Sequence, residues 1–79
     1  MTFSDFKKND SIATKTNSVF YDLDDDNWIE IAPISNSSEF KLVSFATSLE
    51  VEKYILIPSS TSEEDLPALL DPFINEVYQ

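Results

Sequence analysis

The stretch Ser18-Val19-Phe20-Tyr21-Asp22-Leu23-Asp24-Asp25-Asp26-Asn27-Trp28-Ile29-Glu30-Ile31-Ala32 decides the fold. Two runs rich in β-branched and aromatic residues, 18–23 and 28–32, flank four turn-forming residues, the pattern of a β-hairpin. Its register follows from burial. Side chains alternate between the faces of a strand, so slipping the pairing by one residue moves the whole apolar set to the other face. With a loop of three residues, Asp24 to Asp26, Tyr21 stands opposite Ile29 and Val19 opposite Ile31, giving one wholly apolar face. A loop of two or four residues would mix Asp22 and Glu30 into that set. The odd loop therefore turns Val19, Tyr21, Ile29 and Ile31 toward a core and leaves Phe20, Asp22, Trp28 and Glu30 on the opposite face. The chain has no glycine, so Asn27 or one of the aspartates is expected to take any left-handed turn position.

Toward the C-terminus, Ser35-Asn36-Ser37-Ser38 signals a second turn and Glu39-Phe40-Lys41-Leu42-Val43-Ser44-Phe45 a third strand. Segment 47–57 carries two signals. Val51, Tyr54, Ile55 and Ile57 favour a strand ending at Pro58, whereas Thr47-Ser48-Leu49-Glu50 has the spacing of a helix-starting capping box. The strand reading is preferred. Ser59 to Ser62 then lead to an acidic helix start at Glu63, Glu64 and Asp65, where negative charge suits the helix dipole. Pro67 and Pro72 do not both fit inside one regular helix. Two short pieces are predicted: Leu66 to Leu70 capped by Asp65, and a helix capped by Asp71 that starts at Pro72 and runs to about Tyr78. Leu66, Leu69, Leu70, Phe73, Ile74 and Val77 would lie against the sheet.

Toward the N-terminus, segment 1–17 is polar and holds Lys7, Lys8 and Lys15. Phe3 and Phe6 are spaced three apart and Thr2 can cap a helical turn, so this segment reads as a loose arm or a short helix on the core. The expected fold is α+β: a three- to four-stranded antiparallel sheet over 18–57 with C-terminal helical segments packed on one face. Residues 18–79 would form a single domain preceded by the 1–17 segment, since 79 residues suit one core.

Ten aromatic residues, six Phe, three Tyr and one Trp, are too many for a disordered acidic tail. The core of so short a chain supplies only about 3–5 kcal/mol beyond the entropy of ordering, so docking onto a partner would supplement it. Fifteen Asp and Glu stand against five Lys, with no Arg or His, for a formal net charge of -10. Solubility needs a net charge of only about 2–8, and crowded like charges weaken a fold. The excess calls for a reason. Direct binding of DNA or RNA is not that reason, because it draws its affinity from Lys and Arg against phosphate. The absence of cysteine excludes a disulfide framework, a thiolate nucleophile and a zinc finger. No stretch approaches the roughly 18 apolar residues of a membrane span, and the first residues lack the apolar run of a signal peptide, so a cytoplasmic location is expected. Asn9-Asp10-Ser11 and Asn36-Ser37-Ser38 match the glycosylation pattern, which such a location would leave unused.

Without His or Cys, the side chains left for catalysis are carboxylates, Lys, Ser, Thr and Tyr, on a domain too small for a deep cleft. No catalytic residue and no cofactor are expected. Asp22, Asp24 and Asp26 fall at the first, third and fifth places of a calcium loop. Asn27 then stands where that loop needs Gly, and Pro33 where it needs Glu. A solvated turn is the better reading, and no metal site is expected. Phe20 and Trp28 among Asp22 and Glu30 have the composition of interface anchors, unless another segment covers them. The acidic groups Asp22, Asp24, Asp25, Asp26 and Glu30, the pair Glu50 and Glu52, and Glu63, Glu64 and Asp65 could present a basic groove with a charge pattern like that of nucleic-acid phosphates.

In overall type, a very small, acidic, cysteine-free α+β protein, the chain is similar to phage-encoded inhibitors such as DNA mimics and anti-CRISPR proteins, and to immunity proteins that block nucleases. That likeness is compositional and covers no motif. It implies a protein-binding inhibitor acting in a host cytoplasm, whose partner is a protein with a basic, nucleic-acid-binding surface rather than nucleic acid or membrane. The alternative is a small accessory subunit of a larger assembly, bound through the aromatic face. A homodimer is compatible with either.

Overall fold

The computed structural model describes residues 1–11 and 17–78. It contains one antiparallel sheet of five strands in chain order, β1 (Lys7–Asn9), β2 (Val19–Asp24), β3 (Asn27–Ile34), β4 (Ser37–Thr47) and β5 (Val51–Pro58). A 3-10 turn at Phe3–Asp5 precedes β1, and another at Glu63–Asp65 runs into the helix α1 (Leu66–Val77). The α+β class is as expected, but the sheet has five strands rather than three or four.

The first hairpin has the register that burial dictates: Val19 pairs with Ile31, Phe20 with Glu30, Tyr21 with Ile29 and Asp22 with Trp28. Its turn is tighter than the three-residue loop. Asp24 pairs with Asn27, and the register shifts between Asp22 and Asp24, so a bulge at Leu23 supplies the odd residue. Asp24 Oδ1 accepts the Asp26 N–H at 2.8 Å and the Asn27 Nδ2 at 2.9 Å. This side-chain-closed turn needs no left-handed residue. Among the described residues only Asn17, just before β2, has a positive φ, at 58°.

The inner face of the sheet carries Tyr21, Ile29, Ile31, Val43, Phe45 and Ile57, which are buried against Leu66, Leu70 and Ile74 of α1 together with Phe3, Phe6 and Tyr78. Full burial of such side chains stabilises by about 1.5–3 kcal/mol each. Ile29, Val43, Phe45, Leu70 and Ile74 form the centre of this core. Phe3 packs on Tyr21 and Phe6 on Tyr78, at ring centroid distances of 4.9 and 5.3 Å. The Phe3 and Phe6 pair thus serves the core, with Thr2 and Asp5 forming the capping box of the intervening turn. Of segment 1–17, residues 12–16, including Lys15, lie outside the described residues.

The fifth strand arises in that polar segment. Lys7, Lys8 and Asn9 pair with Asp22, Tyr21 and Phe20. Three polar residues carry no alternation to announce a strand, and they form one because the open edge of β2 offers hydrogen-bonding partners. Segment 51–58 is a strand, as preferred. The Thr47 hydroxyl, which could have capped a helix, instead accepts the Leu49 and Glu50 N–H groups at 3.3 and 3.4 Å and closes the β4–β5 turn.

The two predicted helical pieces are corrected to one continuous helix. Pro67 lies in its first turn, where no intrahelical donor is needed. Pro72 lies inside, but it and Ala68, whose carbonyl loses its partner, both face solvent, so water can satisfy that carbonyl. Asp71 does not cap a second helix. Its Oδ1 accepts the Phe3 N–H at 2.7 Å and ties the helix to the N-terminal turn. Leu69, expected against the sheet, is 39% exposed, whereas Leu66, Leu70 and Ile74 carry the buried stripe.

Candidate functional site

Because Tyr21, Ile29 and Ile31 turn inward, their neighbours must turn outward. Across the outer face, Asp22 stands opposite Trp28, Trp28 opposite Ala46 and Ala46 opposite Val51. The next row runs Phe20, Glu30, Ser44 and Tyr54. The described helical elements all pack on the inner face, so neither α1 nor the Phe3–Asp5 turn covers Phe20 and Trp28. Both aromatics are half-buried, and with Asp22, Asp24 and Asp25 they line an open concavity of about 390 Å³.

The acidic turn beside it is held in place. Besides the three hydrogen bonds to the Asp24 carboxylate, two of them from Asn27 Nδ2, the Asp26 carbonyl accepts the Ser48 N–H at 2.7 Å, joining this turn to the β4–β5 turn. Asn9 Nδ2 donates to Asp22 Oδ2 at 2.6 Å. These donors are neutral, so they orient the carboxylates without cancelling their charge. Among the described residues the ion pairs are Lys8–Glu63 and Lys53–Glu76, and neither touches Asp22, Asp24, Asp25 or Asp26.

Behind the concavity, the C-terminus locks onto the sheet. The Tyr78 hydroxyl lies 2.7 Å from the Trp28 carbonyl and 2.9 Å from that of Ala46, which share its proton. Burial pushes its pKa up to about 12. The backbone that carries Trp28 is therefore anchored from below.

Not all of the acidic groups belong to this face. Glu63 sits on the helical side, lining a cleft with Val19, Tyr21, Ile31, Ile57 and Leu66. Its Oε1 is 2.7 Å from Lys8 Nζ, and the hydrogen bond and charge of that ammonium hold the carboxyl below its ordinary value. Burial, then the charge of Glu63, raises the Tyr21 hydroxyl. Glu64 and Asp65 are exposed in the same 3-10 turn. The structure thus brings together Phe20, Asp22, Asp24, Asp25 and Trp28, with Asp26 in the adjoining turn and Glu30 in the next row, and separates them from Glu63, Glu64 and Asp65.

Sequence reasoning missed the breadth of the apolar outer face. Phe40, Val51, Tyr54 and Leu56 on β4 and β5 are 42, 39, 58 and 57% exposed and extend the Trp28 surface to the edge of the sheet. The alternation in 51–57 held that signal, since Tyr54 and Leu56 fall on the face opposite Ile55 and Ile57. The turn carboxylates do not converge as a metal-ligand set would: among the described residues no three His, Cys, Asp or Glu side chains are so placed. No helix among them is long and apolar enough to cross a membrane. Comparison with protein-family models, curated proteins and solved structures finds no match, so the meaning of this face rests on its own residues.

Proposed function

We propose that the chain is a stoichiometric protein-binding inhibitor that docks its acidic, aromatic outer face into the basic nucleic-acid-binding groove of a target protein. The observation that carries this reading is the juxtaposition of Phe20 and Trp28 with Asp22, Asp24 and Asp25 around one open concavity. Aromatic side chains anchor interfaces, and a fixed field of negative charge speeds and selects association with a positive cleft. The net charge of -10 exceeds what solubility asks. A DNA mimic, an anti-CRISPR protein and a nuclease immunity protein all fall within this mode, in the cytoplasm of the cell that holds the target.

The test is affinity capture from nuclease-treated lysate of the source or its host, with a salt gradient and DNA or RNA as competitor. A nucleic-acid-binding protein released by moderate salt and displaced by the competitor is the expected result. Replacing Asp25 and Asp26 by Lys, with Asp24 kept because its carboxylate closes the turn, should abolish that capture while the fold survives. Undiminished capture by the reversed chain would count against the proposal.

A second reading has its own support, the exposed Phe40, Val51, Tyr54 and Leu56 that widen the apolar face beyond the acids. They suit an accessory subunit held in a larger assembly by apolar contact. Under that reading Trp28→Ala disrupts association more than charge reversal does, and the partner resists salt.

A further inference from the structure

We propose that the concavity between Phe20 and Trp28 is a socket for one arginine side chain of the protein partner. This deepens the docking reading above and rests on it. The walls are aromatic and the rim is acidic. A guanidinium is a planar cation that stacks on an aromatic face and forks its N–H groups onto a carboxylate. Trp28 and Phe20 supply the faces, and Asp22, directly opposite Trp28 in the β2–β3 register, supplies the nearest fork. Asp24 and Asp25 complete the rim.

The socket is built before the ligand arrives. Asp22 is oriented by Asn9, and Asp24 by Asn27 and the Asp26 N–H. Each carboxylate has about four acceptor sites, so these bonds leave capacity for a further donor. Lys7 is the nearest competing cation. It stands opposite Asp22 in the β1–β2 register and lines the neighbouring concavity with Asp22, Asp24 and Asp25, yet it is not ion-paired among the described residues. A lysine ammonium from the partner would meet the same charge but lacks the flat surface to stack and the fork to bridge. A purely apolar side chain would leave the rim carboxylates desolvated and unpaired. The chemistry therefore selects arginine.

The test uses the full ¹⁵N-labelled chain, whose single tryptophan gives one indole N–H resonance. It is titrated with N-acetyl-arginine methylamide, with the lysine analogue, and with the citrulline analogue, which keeps the shape and removes the charge. The expected result is a saturable shift of the Trp28 indole and of the Asp24 to Asn27 amides with the arginine compound, a weaker response with lysine and none with citrulline. Trp28→Leu should weaken the arginine titration about two- to fivefold, the size of an exposed cation–π contact, and Lys7→Gln should strengthen it. Equal responses to arginine and citrulline, or arginine shifts spread evenly over the acidic surface including Glu63 to Asp65, would overturn the socket. The same variants are used in the partner capture. Wild-type capture without any wild-type arginine response removes the socket and leaves the docking face standing, whereas a wild-type chain that shows neither removes the docking reading as well.

Discussion

Replacing Tyr78 by Phe removes a single oxygen, and the consequences can be worked from the structure. Tyr78 is 5% exposed, and its hydroxyl is shared by the carbonyls of Trp28 and Ala46. Phe keeps the ring and its contact with Phe6, so the change isolates the hydrogen bond. A typical bond contributes about 0.5–1.5 kcal/mol net, and a buried group left unsatisfied costs about 1–3 kcal/mol. Ala46 is buried and Trp28 is half-buried, so water can reach one carbonyl more readily than the other, and about 1–2 kcal/mol is the expected loss. For a domain of this size that lowers the melting temperature by about 4–16 °C. The same oxygen sets an alkaline signature. Folding raises its pKa from 10 to about 12, so above pH 10 the unfolded chain releases this proton more readily than the folded one. The stabilisation is complete below pH 10 and is lost as pH rises toward 12. Tyr21, whose hydroxyl is also raised, contributes a background common to both chains. Chemical denaturation of wild type and Tyr78→Phe from pH 8 to pH 12 should therefore show two curves about 1–2 kcal/mol apart that converge at the alkaline end. Equal stability at pH 8, or parallel curves to pH 12, would refute the placement of this hydroxyl on the Trp28 and Ala46 carbonyls.

Two other perturbations probe the helical side. Pro72→Ala restores the N–H that the Ala68 carbonyl lacks, at a solvent-facing position of α1. It should stabilise by about 1–3 kcal/mol in urea denaturation, given that an interior proline costs about 3 kcal/mol; a destabilised variant would mean that the helix breaks there. Lys8→Met removes the ammonium that holds the Glu63 carboxyl below its ordinary value. The Glu63 side-chain resonance should then titrate at higher pH than in wild type, and its contribution to stability, present above the ordinary carboxylate range and lost as pH falls, should disappear. An unmoved Glu63 titration would show that the two side chains do not pair in solution.

The first hairpin was legible because its pattern has period two and one face is buried, which leaves a single register for Val19, Tyr21, Ile29 and Ile31. The bulge at Leu23 was not, since two different turns can give the same pairing. β1 escaped notice because Lys7, Lys8 and Asn9 pair through the backbone at an edge, where side chains are free of the alternation that marks a half-buried strand. The single helix was hidden by a local rule: Pro72 forbids one hydrogen bond, but only tertiary position shows that the orphaned carbonyl faces water. At the candidate site, the meeting of Phe20 and Trp28 with Asp22 followed directly from register. That Glu63, Glu64 and Asp65 lie with the helical layer, and that Lys8 claims Glu63, depended on contacts between residues more than fifty positions apart.

The most direct measurement of the docking claim is amide hydrogen exchange of the chain, alone and bound to the captured protein. The expected result is new protection that is largest over Phe20 to Glu30 and β4, with α1 gaining no more than the global stabilisation that binding confers. Protection confined to α1 and the Glu63–Asp65 turn, with the Phe20 and Trp28 face exchanging as before, would contradict it.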